Sequence, residues 1–103
     1  IINDYRFIHS DCIDDILEDE LKSDEYVLGC FNAWFIADII DMDLEVVEAL
    51  QKNDQFEVLG KLMLPHIENV AEQYVKHDGY GQHFGHYDGG EHEINDWYLF
   101  RVN

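Results

Sequence analysis

The sequence predicts an α+β domain in which about four helices pack on one face of a small antiparallel sheet. Apolar residues recur at helical spacing between residues 13 and 74, and this pattern predicts the helices. After Lys76, five of the chain's seven glycines fall within twelve residues, between segments that are typical of short strands. A chain of 103 residues can enclose one core, so we expect a single acidic domain over residues 1–103.

The stretch from Tyr26 to Asp41 is the most apolar part of the chain and predicts one central helix. Because it is apolar nearly all round, other elements must cover it, and we expect Trp34 and Phe35 to be buried. Asn32 and Asp38 interrupt the stretch, and as buried polar side chains they would need hydrogen-bond partners. The alternative is that Asp38 lies at the rim and that Asn32 caps a loop or bonds to a backbone.

Amphipathic helices flank this stretch. The first follows an N-cap at Ser10 or Asp11, and a second spans Leu44 to Lys52 behind an N-cap at Asp43. A longer helical pattern further on contains Pro65, the only proline, where we expect a kink or a new helix start. The apolar stripe of the first helix consists of Ile13, Ile16, Leu17 and Leu21.

The C-terminal part of the chain predicts a three-stranded meander. Asp88, Gly89 and Gly90 form a turn signal between strands at His83 to Tyr87 and Glu91 to Ile94. A second turn leads into Trp97 to Val102, the most strand-like segment. The N-terminal run Tyr5 to Ile8 is too short to stand alone, so we expect it to pair along the free edge of this meander.

Charge is the strongest global feature, since 23 acidic residues against six lysines and arginines give a formal net charge of −17. Such a chain repels phosphate backbones and anionic membrane surfaces, so we expect neither direct nucleic-acid binding nor membrane association. A basic protein is the expected partner. Cys12 and Cys30 each lie within an apolar helical pattern, which predicts two buried free thiols and favours the cytoplasm.

The predicted hairpin suggests one metal-binding group. Its register gathers His86, Asp88, Glu91 and Glu93 on one face, and three carboxylates with one imidazole could hold a hard divalent cation such as Ca²⁺ or Mn²⁺. The alternative is a solvent-facing hairpin with His86 paired to Glu93 across the strands and no cofactor. A register slip of one residue would separate the group.

No catalytic activity can be assigned from the sequence, because the two serines, Ser10 and Ser23, sit where caps or turns are expected. The leading hypothesis is an interaction or inhibitor module for a basic partner, which could act as a DNA mimic. The alternatives are a divalent-metal binder or small metal-dependent enzyme that uses the hairpin, and a salt-adapted domain. The residues that would replace phosphates lie on the first helix and are Asp11, Asp14, Asp15, Glu18 and Asp19.

The segment from Ala37 to Val47, ADIIDMDLEVV, resembles the middle of a helix-turn-helix. Ala37 is the small residue in the first helix, and the turn comes four residues later, at Asp41. The aliphatic residue Val47 follows six residues after the turn. The family usually has glycine at the turn, where this chain has Asp41, and basic or polar groups on the second helix, where it has Glu45 and Glu48. The resemblance implies shared packing geometry, since those acids would face phosphates.

Overall fold

A computed structural model of the protein describes residues 4–102, and its helices and strands confirm the α+β class. Short helices dominate the middle of the chain, and strands lie near both ends. The elements are, in chain order, β1 (Tyr5–His9), α1 (Ile13–Lys22), α2 (Glu25–Gly29), α3 (Ala33–Ile40), α4 (Leu44–Lys52), α5 (Phe56–Met63), a 3-10 turn (Leu64–His66), α6 (Ile67–Asp78), α7 (Gly81–Phe84), β2 (His92–Ile94) and β3 (Trp97–Arg101).

The described residues divide into two compact units. The sheet unit comprises residues 4–17 and 72–102, and the helical unit comprises residues 18–71. Both boundaries fall inside helices, one in α1 and the other in α6. The apolar stripe predicted for α1 is confirmed at three of its four residues, since Ile13, Leu17 and Leu21 are each at most 2% exposed, whereas Ile16 is half-buried.

In the sheet unit, three antiparallel strands follow the order β1-β3-β2. The N-terminal strand pairs along β3 as predicted, in a register that runs from Tyr5 opposite Arg101 to His9 opposite Trp97. One face of the sheet carries the buried side chains of Ile8 and Phe100. The ring of Phe84 in α7 lies 5.1 Å from that of Phe100, so this face belongs to the core of the unit.

The predicted strand from His83 to Tyr87 is wrong. Residues 81–84 form helix α7 instead, and turns lead from it to β2. Gly81 lies against the backbone of the following loop, because a Cβ atom there would be 2.2 Å from the carbonyl oxygen of Gly89. The amide of Gly89 in turn donates to the carbonyl of Gly85 at 2.7 Å. The glycines therefore allow the loop to fold back on α7, rather than forming the turn of a hairpin.

In the helical unit, the predicted single helix from Tyr26 to Asp41 is also wrong. The helix ends at Gly29, and α3 begins at Ala33 after Asn32, whose side-chain oxygen accepts a hydrogen bond from the Trp34 amide at 2.9 Å. Asn32 is thus an N-cap, which matches the alternative given for it. The core of the unit is formed by buried side chains from each of its helices, among them Leu28, Ile36, Val47, Leu59 and Met63.

The later helices follow the sequence pattern more closely. Helix α4 has the predicted bounds, and Asp43 precedes it as N-cap without a side-chain hydrogen bond. The helical pattern around Pro65 breaks as expected, into α5, a 3-10 turn that contains the proline, and α6. Asp41 ends α3 in the left-handed conformation, with φ of 54°. None of the helices within residues 4–102 is long and apolar enough to cross a membrane.

Candidate partner-binding surface

Helix α1 presents its carboxylates on the side opposite its buried stripe. Asp14, Asp15 and Asp19 are exposed, and Glu18 is half-buried. We call these four residues the acidic face of α1. Asp11 is also exposed but precedes the helix, where its backbone amide donates to Nδ1 of His9 at 3.1 Å and its carboxylate lies 3.6 Å from the same atom. Positions three and four apart share a side of a helix, so the face follows from sequence spacing alone.

The density of charge on this face approaches that of DNA. From Asp14 to Asp19 the helix rises by about 7.5 Å, at about 1.5 Å per residue. Four carboxylates make three intervals over that length, so their mean spacing along the axis is about 2.5 Å, compared with about one charge per 1.7 Å along the axis of duplex DNA. A short stretch of α1 therefore has about two thirds of the linear charge density of duplex DNA.

Most of this charge is not neutralised within the protein. Asp15, Glu18 and Asp19 have no cationic partner within residues 4–102. The four lysines are exposed, and none of them makes an ion pair with a described carboxylate. The field of these carboxylates is therefore screened mainly by water and salt, and it is available to a partner.

Asp14 differs from the other three because a tyrosine contacts it. The hydroxyl of Tyr80 donates to Oδ1 of Asp14 at 2.6 Å, across 66 positions of sequence. Burial raises the pKa of Tyr80, and the hydrogen bond to Asp14 raises it further. Asp14 therefore has a local role in holding α1 to the segment before α7, within the sheet unit.

Tyr80 belongs to a cluster of tyrosines and acids that sequence reasoning missed. Its ring lies 5.2 Å from that of Tyr98 on β3. Burial raises the pKa of Tyr98, and the carboxylates of Glu93 and Glu91 raise it further. No local pattern could have predicted the cluster, because its members come from four separate segments of the chain.

The predicted metal-binding group is not assembled. His86 lies outside any strand, and Glu93 pairs with Tyr98 on β3 instead of facing His86. Asp88 accepts a hydrogen bond from the amide of Gly90 at 2.9 Å, a local turn contact, and Glu91 precedes β2. The prediction failed because it assumed that residues 83–87 and 91–94 pair as two strands of a hairpin, whereas residues 81–84 form helix α7. Across residues 4–102, no three metal-ligating side chains are arranged to hold an ion.

Two further predictions about buried residues are corrected. Asn32 and Asp38 are exposed, and no polar side chain is buried among the described residues. Cys12 and Cys30 are exposed free thiols, because Cys12 precedes α1 and Cys30 follows the last residue of α2. Trp34, expected in the core, is 72% exposed on the first turn of α3, although Phe35 beside it is half-buried.

The helix-turn-helix resemblance has a structural counterpart in α3 and α4. Asp41 occupies the left-handed turn position where that family usually has glycine. On the second helix, Glu45 and Glu48 are exposed and line an open depression together with Ala49 and Phe56. Many helices end in a left-handed residue, so this conformation alone does not identify the motif, and the surface of α4 has the wrong charge for phosphates.

Comparisons with models of protein families, with curated proteins and with solved structures find no match to this chain. The fold and the charge of the described residues are therefore the basis on which function is argued.

Proposed function

We propose that this protein is an interaction module that binds a basic protein through the acidic face of α1. The observation that supports this proposal is the row of four carboxylates on one side of α1, of which three are exposed and three have no cationic partner within residues 4–102. A protein with a lysine- and arginine-lined groove for phosphates would meet a similar row of negative groups here. The proposal therefore includes DNA mimicry as its mode of recognition.

The acidic face of α1 supports this function better than the other acidic helix surfaces do. Its acids repeat three and four positions apart, so they lie side by side on one helix. Helix α4 has two acids, Glu45 and Glu48, and the exposed Val46 and Ala49 lie beside them. A cationic groove would gain less from α4, because it would meet two carboxylates there and four on α1.

Neutralising the face tests the proposal. The triple variant Asp15→Asn, Glu18→Gln and Asp19→Asn removes three charges from solvent-facing positions and spares Asp14, which Tyr80 contacts. The matched control, Glu45→Gln, Glu48→Gln and Glu57→Gln, removes the same charge from exposed helix positions elsewhere.

The wild-type protein, immobilised at low salt, should retain a DNA-binding protein from the source cell. Duplex DNA should elute that protein, and its binding should weaken steeply as NaCl rises.

The two variants separate a defined surface from bulk charge. Loss of at least tenfold in affinity for the α1 variant, with about twofold or less for the control, supports the proposal. Equal losses would show that net charge alone governs binding. If duplex DNA does not displace the retained protein, DNA mimicry is excluded.

A further inference from the structure

Two tyrosine rings adjoin the acidic face of α1. Asp14, the first residue of that face, accepts the hydrogen bond from Tyr80 at 2.6 Å. The ring centroid of Tyr80 lies 5.2 Å from that of Tyr98 on β3, with 56° between the ring planes. Both tyrosines are half-buried, so part of each remains open to solvent. The carboxylates of α1 therefore border an aromatic surface within the sheet unit.

Two further carboxylates lie at the same rings. Glu93 on β2 stands opposite Tyr98 in the strand register, so the two side chains share one face of the sheet. Glu91 lies against Gly79, the residue before Tyr80, where a Cβ atom would be 2.7 Å from Oε1 of Glu91. Burial raises the pKa of Tyr98, and both carboxylates raise it further. We call the whole group the tyrosine cluster, and its members are Asp14, Tyr80, Glu91, Glu93 and Tyr98.

The tyrosine cluster carries negative charge that no described cation balances. Asp14, Glu91 and Glu93 are exposed, and none of them makes an ion pair within residues 4–102. The faces of the tyrosine rings are also negative, because the aromatic quadrupole places its negative part there. A cation at this position would be attracted both by carboxylates and by the rings, which distinguishes the cluster from a plain row of acids.

The combination of rings and carboxylates suits arginine better than lysine. A guanidinium group is planar, so it stacks on an aromatic face and still directs N–H donors at carboxylates beside the ring. An ammonium group is a compact and strongly hydrated point charge, so it gains less from a ring that borders water. We propose that the tyrosine cluster binds an arginine side chain of the basic partner, an assignment that rests on the proposed function of the acidic face of α1.

The acidic face and the tyrosine cluster contribute differently to binding. The carboxylates of α1 attract any cation, so they set the affinity for lysine-rich and arginine-rich partners alike. The cluster sets the preference between the two, because only the guanidinium group uses the rings and the carboxylates together. A cation–π contact at an exposed site corresponds to about a two- to fivefold change in affinity. The preference for arginine should have about that size.

Two synthetic peptides test the assignment on the full chain. They have equal length and charge, and alanine alternates with arginine in one and with lysine in the other. Calorimetric titration at low salt measures the affinity of each. Tyr98→Leu removes one ring of the cluster, and the double variant Glu91→Gln with Glu93→Gln removes two carboxylates. The matched control, Glu68→Gln with Glu72→Gln, removes the same charge from exposed positions of α6. Far-ultraviolet circular dichroism checks that every variant folds.

Wild type and the α6 control should bind the arginine peptide about two- to fivefold more tightly than the lysine peptide. Tyr98→Leu should bind the two peptides alike, and the double variant should lose most of the preference. Equal affinities in wild type would overturn the assignment, as would a preference that both cluster variants retain or a failure of wild type to bind either peptide.

The triple variant of the acidic face separates this assignment from the proposed function. It should bind both peptides more weakly and keep the preference for arginine, because it leaves the tyrosine cluster intact. Unchanged affinity of the triple variant for both peptides would count against the function of the acidic face. Loss of the preference in the triple variant, with the cluster unaltered, would count against the cluster.

Discussion

Gly29 in α2 and Gly60 in α5 make reciprocal backbone contacts where these two helices meet. A Cβ atom built on Gly29 would lie 1.8 Å from the carbonyl oxygen of Phe56, and one on Gly60 would lie 1.9 Å from that of Glu25. Both glycines are buried. No side chain other than hydrogen fits at either position, so the two glycines fix how closely the helices of this pair approach.

Replacing Gly29 by alanine should therefore destabilise the protein, even though alanine is the better helix former. The methyl group would have to displace the backbone of α5, which we expect to cost about 2–4 kcal/mol in the free energy of unfolding. Urea denaturation followed by circular dichroism measures it. Gly90→Ala is the matched control, since a Cβ there would meet only the side chain of Asp88, at 3.2 Å or more. A Gly29→Ala protein as stable as that control would contradict the close approach.

The contact of Tyr80 with Asp14 predicts a specific loss of stability in alkali. The pKa of Tyr80 is raised in the folded protein. The folded state therefore keeps the phenolic proton at a pH where the same tyrosine in the unfolded chain, with an ordinary pKa of about 10, has lost it. The contribution of Tyr80 to the free energy of unfolding is complete below the pKa of the unfolded chain, about 10. It is lost as the pH rises from there through the raised pKa of the folded state. Thermal unfolding between about pH 8 and 11 should show a steeper decline for wild type than for Tyr80→Phe.

Two comparisons make this pH dependence specific. Asp14→Asn removes the acceptor charge but not the burial, so its decline should lie between those of wild type and Tyr80→Phe. At neutral pH, Tyr80→Phe should cost about 1 kcal/mol, because the hydrogen bond to the exposed Asp14 is partly screened by water. An Asp14→Asn profile identical to that of wild type would show that the hydrogen bond does not form in solution.

The elements predicted well from the sequence are those that depend on local spacing. Helix α4 and the buried stripe of α1 follow from apolar residues three and four positions apart. The pairing of β1 with an edge of the C-terminal strands was predicted because a lone short strand must find an edge. The acidic face of α1 follows from the same spacing as the stripe, so this candidate site was accessible without a structure.

The elements predicted wrongly depend on contacts between distant segments. Nothing near residue 29 in the sequence shows that the backbone of Phe56 will approach it, yet this contact accompanies the end of α2. Likewise, Phe84 was assigned to a strand by its neighbours, whereas a helical turn brings its ring to Phe100. The proposed metal group failed for the same reason, since it required a strand register that only the tertiary structure sets.

Asp41 provides the last prediction, because it occupies a conformation that suits glycine better. Its φ of 54° places it in the left-handed region at the C-cap of α3, where its amide donates to the carbonyl of Ala37. Asp41→Gly should stabilise the protein by about 1 kcal/mol, through relief of backbone strain and removal of a negative charge from the helix C-terminus. Asp41→Asn should recover only the charge part, about 0.3 kcal/mol. Asp38→Gly, an exposed change within α3, should bring no such gain, because glycine is a poorer helix former than aspartate by about 0.3 kcal/mol, which offsets the removal of the charge. Chemical denaturation of the three variants separates these effects, and a destabilised Asp41→Gly protein would refute the left-handed conformation of Asp41 at the end of α3.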